Sequence, residues 1–327
     1  ATNAIVAFGL FPVLGFVPFG FQYQSVIGDR YMYLPMLGVA LALAGGLSRS
    51  SSRFPAKAAA AVILALAGLC FAQVRHWKDT TALSTRTLAY NPDSLGANEN
   101  LGRIALREQR HEDALAYYQH LADLYPFHAG YQLTLGSLKH TLERYREAAD
   151  HFQSAIRFDP NNARAYYALG VTRFQLEQYA SAESLFRKAL ELKPTDSEAM
   201  ADLAATLAKQ GKQQLAIAFF SEAIRVNPAA KRAYWGLAAV YRDLNRLEEF
   251  LEVYQRLLRS DPSDFESYII LARAYKKFGR PQDAKVVYTR ALQLARGTPG
   301  FSFDKIRLLQ AEIEQLGIDS PAKQIGE

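Results

Sequence analysis

The sequence predicts an all-α protein in which transmembrane helices precede a right-handed superhelical solenoid of helical hairpins. Two observations carry this prediction: the first 74 of the 327 residues contain long apolar runs with almost no charge, and the rest repeats every 34 residues. Apolar runs of bilayer length predict membrane-spanning helices, and a fixed period of 20–50 residues is typical of solenoids. We expect an anchor region at 1–76, a linking helix at 77–94, six repeats at 95–298, and a capping helix with a tail at 299–327.

Three apolar stretches make up the predicted anchor region, at residues 4–21, 31–47 and 58–74. Their lengths lie at the short end of what spans a bilayer as a helix. The alternative is a buried helical hairpin of a water-soluble protein, but three successive runs with so little charge favour the membrane.

The loop between the second and third stretches carries Arg49, Arg53 and Lys57 and no acid. Basic loops are retained on the cytoplasmic side of a membrane. We therefore expect everything after residue 74 to be extracytoplasmic, which means periplasmic in a bacterium and luminal in a eukaryote.

The repeats are defined by a proline that recurs every 34 residues, at Pro92, Pro126, Pro160, Pro194, Pro228 and Pro262. A Leu-Gly or Leu-Ala pair follows nine and ten residues after each proline. An alanine follows at twenty-two residues in all repeats but one, where Phe250 replaces it, and a Tyr or Phe follows at twenty-six. This is the tetratricopeptide pattern.

The recurring residue types have physical reasons in a pair of antiparallel helices, A and B. Proline ends helix B because it lacks an N–H and clashes with the preceding turn. The small residues let the helices approach closely, and the aromatic residue fills the space between hairpins. A single hairpin cannot bury its apolar face, so neighbouring hairpins must stack. By the same pattern, residues 77–90 predict an unpaired helix B, and residues 303–316 predict the capping helix.

Two segments go beyond the repeats. Residues 24–35 read Gln-Ser-Val-Ile-Gly-Asp-Arg-Tyr-Met-Tyr-Leu-Pro, and residues 75–78 read Arg-His-Trp-Lys. Together they resemble the C-terminal part of the membrane-bound protein O-mannosyltransferase-like (GT-C type) family with tetratricopeptide repeats. The resemblance implies a multi-span glycosyltransferase that uses a lipid-phosphate sugar and carries its repeats outside the cytoplasm. The catalytic carboxylates of such enzymes lie in the first extracytoplasmic loop near the N-terminus, whereas residues 22–30 hold one acid, Asp29. We therefore expect no catalytic residue in this chain: it is a non-catalytic relative, or its catalytic part precedes it.

No phosphate-binding loop, dinucleotide-binding turn or nucleophile elbow is found in the sequence. The six histidines and the single cysteine lack metal-ligand spacing, so we expect neither a metal nor a cofactor. Asp29 and Arg30 are candidates for a lipid-phosphate contact, since a guanidinium can bind phosphate in a bidentate way. The alternative is that Arg30 pairs with Asp29 or extends to the lipid headgroups.

The candidate binding surface is the concave groove, which helix A lines with the fourth, seventh, eleventh, fourteenth and fifteenth residues after each proline. Its candidate residues are Arg164, Tyr167, Phe174, Arg232, Trp235, Arg242, Arg273, Lys276 and Lys277. Four acids also fall at these positions, so the predicted surface is mixed but basic on balance. Aromatic and arginine side chains are common binding anchors, which favours a protein or peptide partner. The alternative is a solvated helix face with no partner.

Two functions remain open from the sequence. The first is a membrane-anchored scaffold that binds a protein in the groove, with the lipid bilayer as its second partner. The second is the substrate-recruiting arm of a membrane glycosyltransferase. Nucleic acid is not an expected partner, because the net charge of +6 comes without a dense cluster of Lys and Arg.

Overall fold

The structure, a computed structural model, describes residues 80–298 and 301–316, and every regular element in these two ranges is a helix. We number the helices α1 to α14. They span Thr80–Tyr90, Leu95–Arg107, His111–Leu124, Ala129–Thr141, Tyr145–Phe158, Ala163–Gln175, Tyr179–Leu192, Ser197–Lys209, Gln213–Val226, Lys231–Asp243, Leu247–Ser260, Phe265–Lys277, Pro281–Gly297 and Phe303–Gln315.

The predicted membrane spans, the basic loop between them, and the Asp29–Arg30 pair lie outside the described residues. Among the helices that the structure does describe, none combines the length and the apolar character needed to cross a bilayer. The predicted linking helix is described from Thr80 onward, and the predicted capping helix is α14.

The helices follow the 34-residue spacing of the repeat prolines. Each A helix (α2, α4, α6, α8, α10 and α12) has 13 residues and begins three residues after a repeat proline. The five B helices α3, α5, α7, α9 and α11 have 14 residues each, and each ends two residues before the next repeat proline. The last B helix, α13, continues to Gly297.

The turn between helices A and B contains one residue in the left-handed region at the same place in every repeat. These residues are Gln109, Glu143, Glu177, Gly211, Asn245 and Gly279, with φ between 54° and 78°. A left-handed residue is typical just after a helix end, where it is usually glycine. Only two of the six are glycine, so the sequence pattern did not reveal this period.

Close packing of helix A on helix B follows the predicted small and aromatic positions. A Cβ built on Gly170 would lie 2.8 Å from Cε1 of Phe186, and one built on Gly136 would lie 2.6 Å from Cε1 of Phe152. Both rings are 1% exposed. Glycine is therefore needed at these positions because a ring occupies the space that a side chain would take.

The exception at residue 250 is accommodated by aromatic packing. The Phe250 ring lies 5.1 Å from the Tyr254 ring and 6.4 Å, edge-on, from the Phe278 ring. Phe278 belongs to the A–B turn of the sixth repeat, so the larger side chain at 250 contacts the next hairpin.

The chain divides into two compact units, with the division after Pro160. In the N-terminal unit, helices α1 to α5 enclose a small core that includes Tyr118, Leu121 and Leu135. In the C-terminal unit, helices α6 to α14 enclose a larger core that runs from Ala182 to Leu309. The capping helix contributes Leu309 to this core, which covers the last repeat as predicted for a solenoid end.

Candidate functional site: the helix A surface of the C-terminal unit

In the C-terminal unit, helix α8 lies between helices α6 and α10 and contacts both of them directly. A polar network crosses these helices. The Tyr167 hydroxyl on α6 donates a hydrogen bond of 2.8 Å to Oδ2 of Asp202 on α8. The Arg232 guanidinium on α10 forms an ion pair with Oδ1 of the same carboxylate. Three consecutive A helices are thus joined through one buried acid.

Asp202 is the centre of this network. Its side chain is only 8% exposed, and burial raises the pKa of its carboxyl group, while the charge of Arg232 and the hydrogen bond from Tyr167 oppose that shift. Burial and the negative charge of Asp202 also raise the pKa of the Tyr167 hydroxyl. Both partners donate to the carboxylate, and one of them is cationic, so they offset part of the cost of burying its negative charge.

An indole ring lies on the same face as the Arg232 side chain. Trp235 follows Arg232 by three residues on α10, a spacing that places both on one side of a helix. Trp235 is 47% exposed and the Arg232 side chain is 65% exposed. An exposed apolar ring beside a guanidinium group is a feature that a binding partner commonly buries.

The other aromatic residue predicted for the groove is more strongly packed. Phe174 at the end of α6 is half-buried and lies edge-on to Tyr179, with ring centroids 5.4 Å apart. Only part of the Phe174 ring is therefore accessible, and the Trp235 indole is the most exposed ring of this helix A surface. Arg164, at the start of α6, is exposed and has no carboxylate partner among the described residues.

The cations of the fifth and sixth repeats fall into two groups. Arg242 pairs with Asp243 at 2.9 Å, and Lys276 pairs with Glu312 of the capping helix at 2.8 Å. Exposed Arg273 and Lys277 on α12, by contrast, have no carboxylate partner within residues 80–298 and 301–316. The surface is therefore less basic than its composition indicates, and its free positive charge in this region lies on the sixth repeat.

Asp202 was missed by the sequence analysis because it falls at the eighth residue after a repeat proline, which is not one of the groove positions. A signal was present, since α8 is otherwise almost entirely apolar or small through its middle. The acid also has no counterpart in the other repeats, whose residues at this place are Asn100, Thr134, Ala168, Gly236 and Ile270.

The N-terminal unit carries a smaller polar link of the same kind. The Tyr131 hydroxyl on α4 donates a hydrogen bond of 2.7 Å to Glu99 on α2. Burial, followed by this hydrogen bond, raises the pKa of Tyr131. Glu99 is one of the acids at the predicted groove positions, and it is used here to join neighbouring hairpins.

Within residues 80–298 and 301–316, no three His, Cys, Asp or Glu side chains come together in a way that would hold a metal ion. The helix A surface of the C-terminal unit presents an exposed indole, Trp235, and a buried acid, Asp202, that pairs with Arg232. Its exposed cations Arg164, Arg273 and Lys277 have no carboxylate partner in the described part of the chain.

This fold defines a helical-repeat protein. Residues 81–129, 133–197 and 201–265 match a sequence profile described as tetratricopeptide repeat, and residues 265–298 match a second profile with the same description. The matched segments cover more than half of the chain, and the chain belongs to the tetratricopeptide repeat family.

No curated protein sequence matches the chain. Solved structures do. A tetratricopeptide repeat protein from Parabacteroides merdae is 16% identical with a TM-score of 0.52, and the match covers 73% of this chain and 91% of that one. The PilF protein of Pseudomonas aeruginosa is 19% identical with a TM-score of 0.51, covering 66% and 96%. The Cut9–Hcn1 structure of APC/C is 15% identical with a TM-score of 0.50, covering 71% and 45%.

At these identities the structural matches establish the fold alone. They confirm the all-α repeat architecture, and the family match confirms the repeats. The comparisons give no support to the resemblance to the O-mannosyltransferase-like family.

Proposed function

We propose that this chain is a membrane-anchored tetratricopeptide-repeat scaffold that binds a protein or peptide partner on the helix A surface of its C-terminal unit. The observation that carries the proposal is the exposure of Trp235 beside Arg232, on a layer whose other aromatic residues are packed. Trp and Arg are the residues most enriched among those that dominate binding energy. Arg273 and Lys277 supply charge for an acidic partner.

The anchoring part of the proposal is supported by the sequence. The three apolar runs at 4–21, 31–47 and 58–74 are the proposed spans, and the basic loop between the second and third is the proposed cytoplasmic side. In this proposed topology the repeats are extracytoplasmic, and Asp29 with Arg30 is the proposed contact for a lipid phosphate.

The binding surface is tested by capture of partners from solubilised membranes with the full chain. Trp235→Ala combined with Arg273→Ala is compared with the wild type. Truncating anchors of this type costs about 2 kcal/mol or more, roughly a thirtyfold loss of affinity. We expect the partners captured by the wild type to be lost from the double variant.

A matched control removes the same kinds of side chain from helices B. Leu215 is 47% exposed, as Trp235 is, and Arg259 is an exposed arginine of α11. Leu215→Ala with Arg259→Ala is expected to capture the same partners as the wild type. With circular dichroism confirming that both variants fold, equal capture by the Trp235 and Arg273 variant would show that binding occurs elsewhere.

The second candidate function is the substrate-recruiting arm of a membrane glycosyltransferase that uses a lipid-phosphate sugar. The observation that favours it is the Asp-Arg-Tyr-Met-Tyr-Leu-Pro segment at 29–35. Sequencing the gene upstream of residue 1 separates the two candidates. Further spans with an acidic first loop support the enzyme, and a start codon near residue 1 supports the scaffold.

A further inference from the structure

A buried acid stands at a place where the packing of the hairpins requires none. Asp202 is 8% exposed, yet the other five repeats carry uncharged residues at the equivalent place and form the same pair of helices. Burying a carboxylate is unfavourable unless charge and hydrogen bonds compensate it. The common repeat packing therefore does not require an acid at this position; besides joining the A helices through Tyr167 and Arg232, Asp202 changes the net charge at Arg232.

We infer that Asp202 determines the charge specificity of the helix A surface by neutralising Arg232. This inference rests on the proposed function of that surface and adds to it the kind of ligand that the surface accepts. Arg232 is well exposed beside Trp235, and without a partner it would attract an anion to that side of the indole. The ion pair with Asp202 cancels its charge, so an acidic ligand group gains little there.

The uncancelled charge lies on the other side of Trp235. Ile270 on α12 is 37% exposed and occupies the same repeat position as Asp202. Trp235 occupies the same repeat position as Tyr167, which contacts Asp202 of the following repeat. The 34-residue register therefore places Ile270 beside Trp235. Arg273 follows Ile270 by three residues on the same face of α12, and it has no carboxylate partner in the described part of the chain.

These placements make the distribution of charge around Trp235 asymmetric. An apolar pair, Trp235 and Ile270, lies in the middle, with neutralised Arg232 on one side and cationic Arg273 and Lys277 on the other. The ligand that fits is a peptide with a bulky apolar side chain over the apolar pair and an acidic group toward the sixth repeat only. In an extended peptide the acidic residue would follow within about two or three residues, since each residue advances about 3.3 Å.

The first experiment measures the local charge at Trp235 and needs no ligand. In the full chain with Trp77→Phe, Trp235 is the single tryptophan, and its fluorescence is quenched with iodide, caesium and acrylamide. Asp202→Asn keeps the size of the side chain and its ability to accept hydrogen bonds. We expect it to raise the iodide quenching constant about twofold, the effect of one screened charge at a few ångströms, to lower the caesium constant, and to leave acrylamide quenching unchanged.

The second experiment reads specificity with random dodecapeptides displayed on phage and selected against the full chain. The wild type is expected to enrich peptides with acids on one side of an apolar residue, and Asp202→Asn to enrich peptides with acids on both sides. A synthetic peptide of the second kind should bind Asp202→Asn about tenfold more tightly than the wild type. Adding Arg232→Gln to Asp202→Asn removes the freed charge and should restore the wild-type preference.

The outcomes separate this inference from the proposed function. Enriched peptides that require Trp235 support the binding surface itself. If their acid pattern is the same for wild type and Asp202→Asn, and iodide quenching is unchanged, Asp202 does not set specificity even though the surface binds. A parallel change in acrylamide quenching would also overturn the inference, because it would show that Asp202→Asn alters the exposure of the indole.

Discussion

Replacement of Gly170 by leucine is expected to lower the stability of the C-terminal unit, because Phe186 already occupies the space. An ideal Cβ at residue 170 would lie 2.8 Å from Cε1, 2.9 Å from Cδ1 and 3.2 Å from Cζ of that ring. Ordinary carbon contacts lie near 3.5–4.0 Å, so the ring would have to move by roughly 0.7 Å for the first carbon alone. Phe186 is 1% exposed and has no solvent-filled space to enter.

The magnitude follows from two opposing effects. Overpacking a dense core costs about 1–3 kcal/mol, whereas removing a glycine from a helix interior gains up to about 1 kcal/mol. For Gly170→Ala these effects partly cancel, and we expect a net loss near 1 kcal/mol. Leucine adds three more carbons to the same crowded space, so Gly170→Leu should lose about 2 kcal/mol or more. For a unit of this size that corresponds to a fall of roughly 4–8 °C in melting temperature.

The assay is thermal unfolding followed by circular dichroism at the helix band. Gly297→Ala is the control, since nothing lies within 4 Å of a Cβ built there and its melting temperature should be unchanged or slightly raised. The Phe186 ring lies 5.9 Å from the Tyr167 ring, so the leucine variant should also disturb the network at Asp202. A melting temperature for Gly170→Leu equal to that of the wild type would refute the packing argument.

Three further predictions concern the turns and the titrating groups. Gly211 has φ of 78° with open space around it, so Gly211→Ala should lower the free energy of unfolding by about 1 kcal/mol from backbone strain alone. Glu143→Gly should raise it by about 0.5 kcal/mol at the equivalent left-handed position. Urea unfolding of each variant measures these changes, and changes of the opposite sign would contradict them. The pKa of Asp202 is raised above its ordinary 3.8. The contribution of this carboxyl group to stability is therefore present below pH 3.8 and is lost as pH rises through the folded pKa. The stability of the wild type relative to Asp202→Asn should fall with rising pH, and a difference that does not change with pH would argue against the raised pKa. Lys231 contacts Asp261 at 2.7 Å and lowers the pKa of its carboxyl group to about 2. Lys231→Met should therefore lower the free energy of unfolding by about 0.5–1 kcal/mol above pH 4. A loss that persists unchanged at pH 2 would exclude this ion pair as its source.

The sequence was sufficient to predict the register of the repeats but not the state of the charges on them. Proline, the small residues and the aromatic residues act locally, so their 34-residue spacing fixes where each helix begins and ends. The ion pair of Lys276 with Glu312 joins residues 36 apart, across the boundary between the repeats and the capping helix. Periodicity carries no information about such a pair, because Glu312 lies outside the repeats.

The left-handed turns escaped prediction for a different reason. Glycine is the usual marker of positive φ, and four of the six turn residues here are Gln, Glu or Asn. In these turns the backbone hydrogen bonds hold the conformation: the N–H of Arg144 donates to the carbonyl of Lys139 at 2.8 Å, and that of Gln178 donates to the carbonyl of Arg173 at 2.9 Å. The backbone hydrogen bonds at the end of helix A therefore outweigh the preference of non-glycine residues for negative φ.

The capping helix has a consequence for binding as well as for stability. By pairing with Lys276, Glu312 of α14 removes one of three cations that the sixth repeat places near one another, as Asp202 removes Arg232 from the fifth. Asp202 neutralises Arg232, and Glu312 neutralises Lys276. The positive charge that remains in the fifth and sixth repeats therefore lies on Arg273 and Lys277. A count of basic residues overstates this charge. For the proposed binding surface, the buried acid Asp202 and the capping acid Glu312 together determine on which side of Trp235 an acidic ligand group is expected.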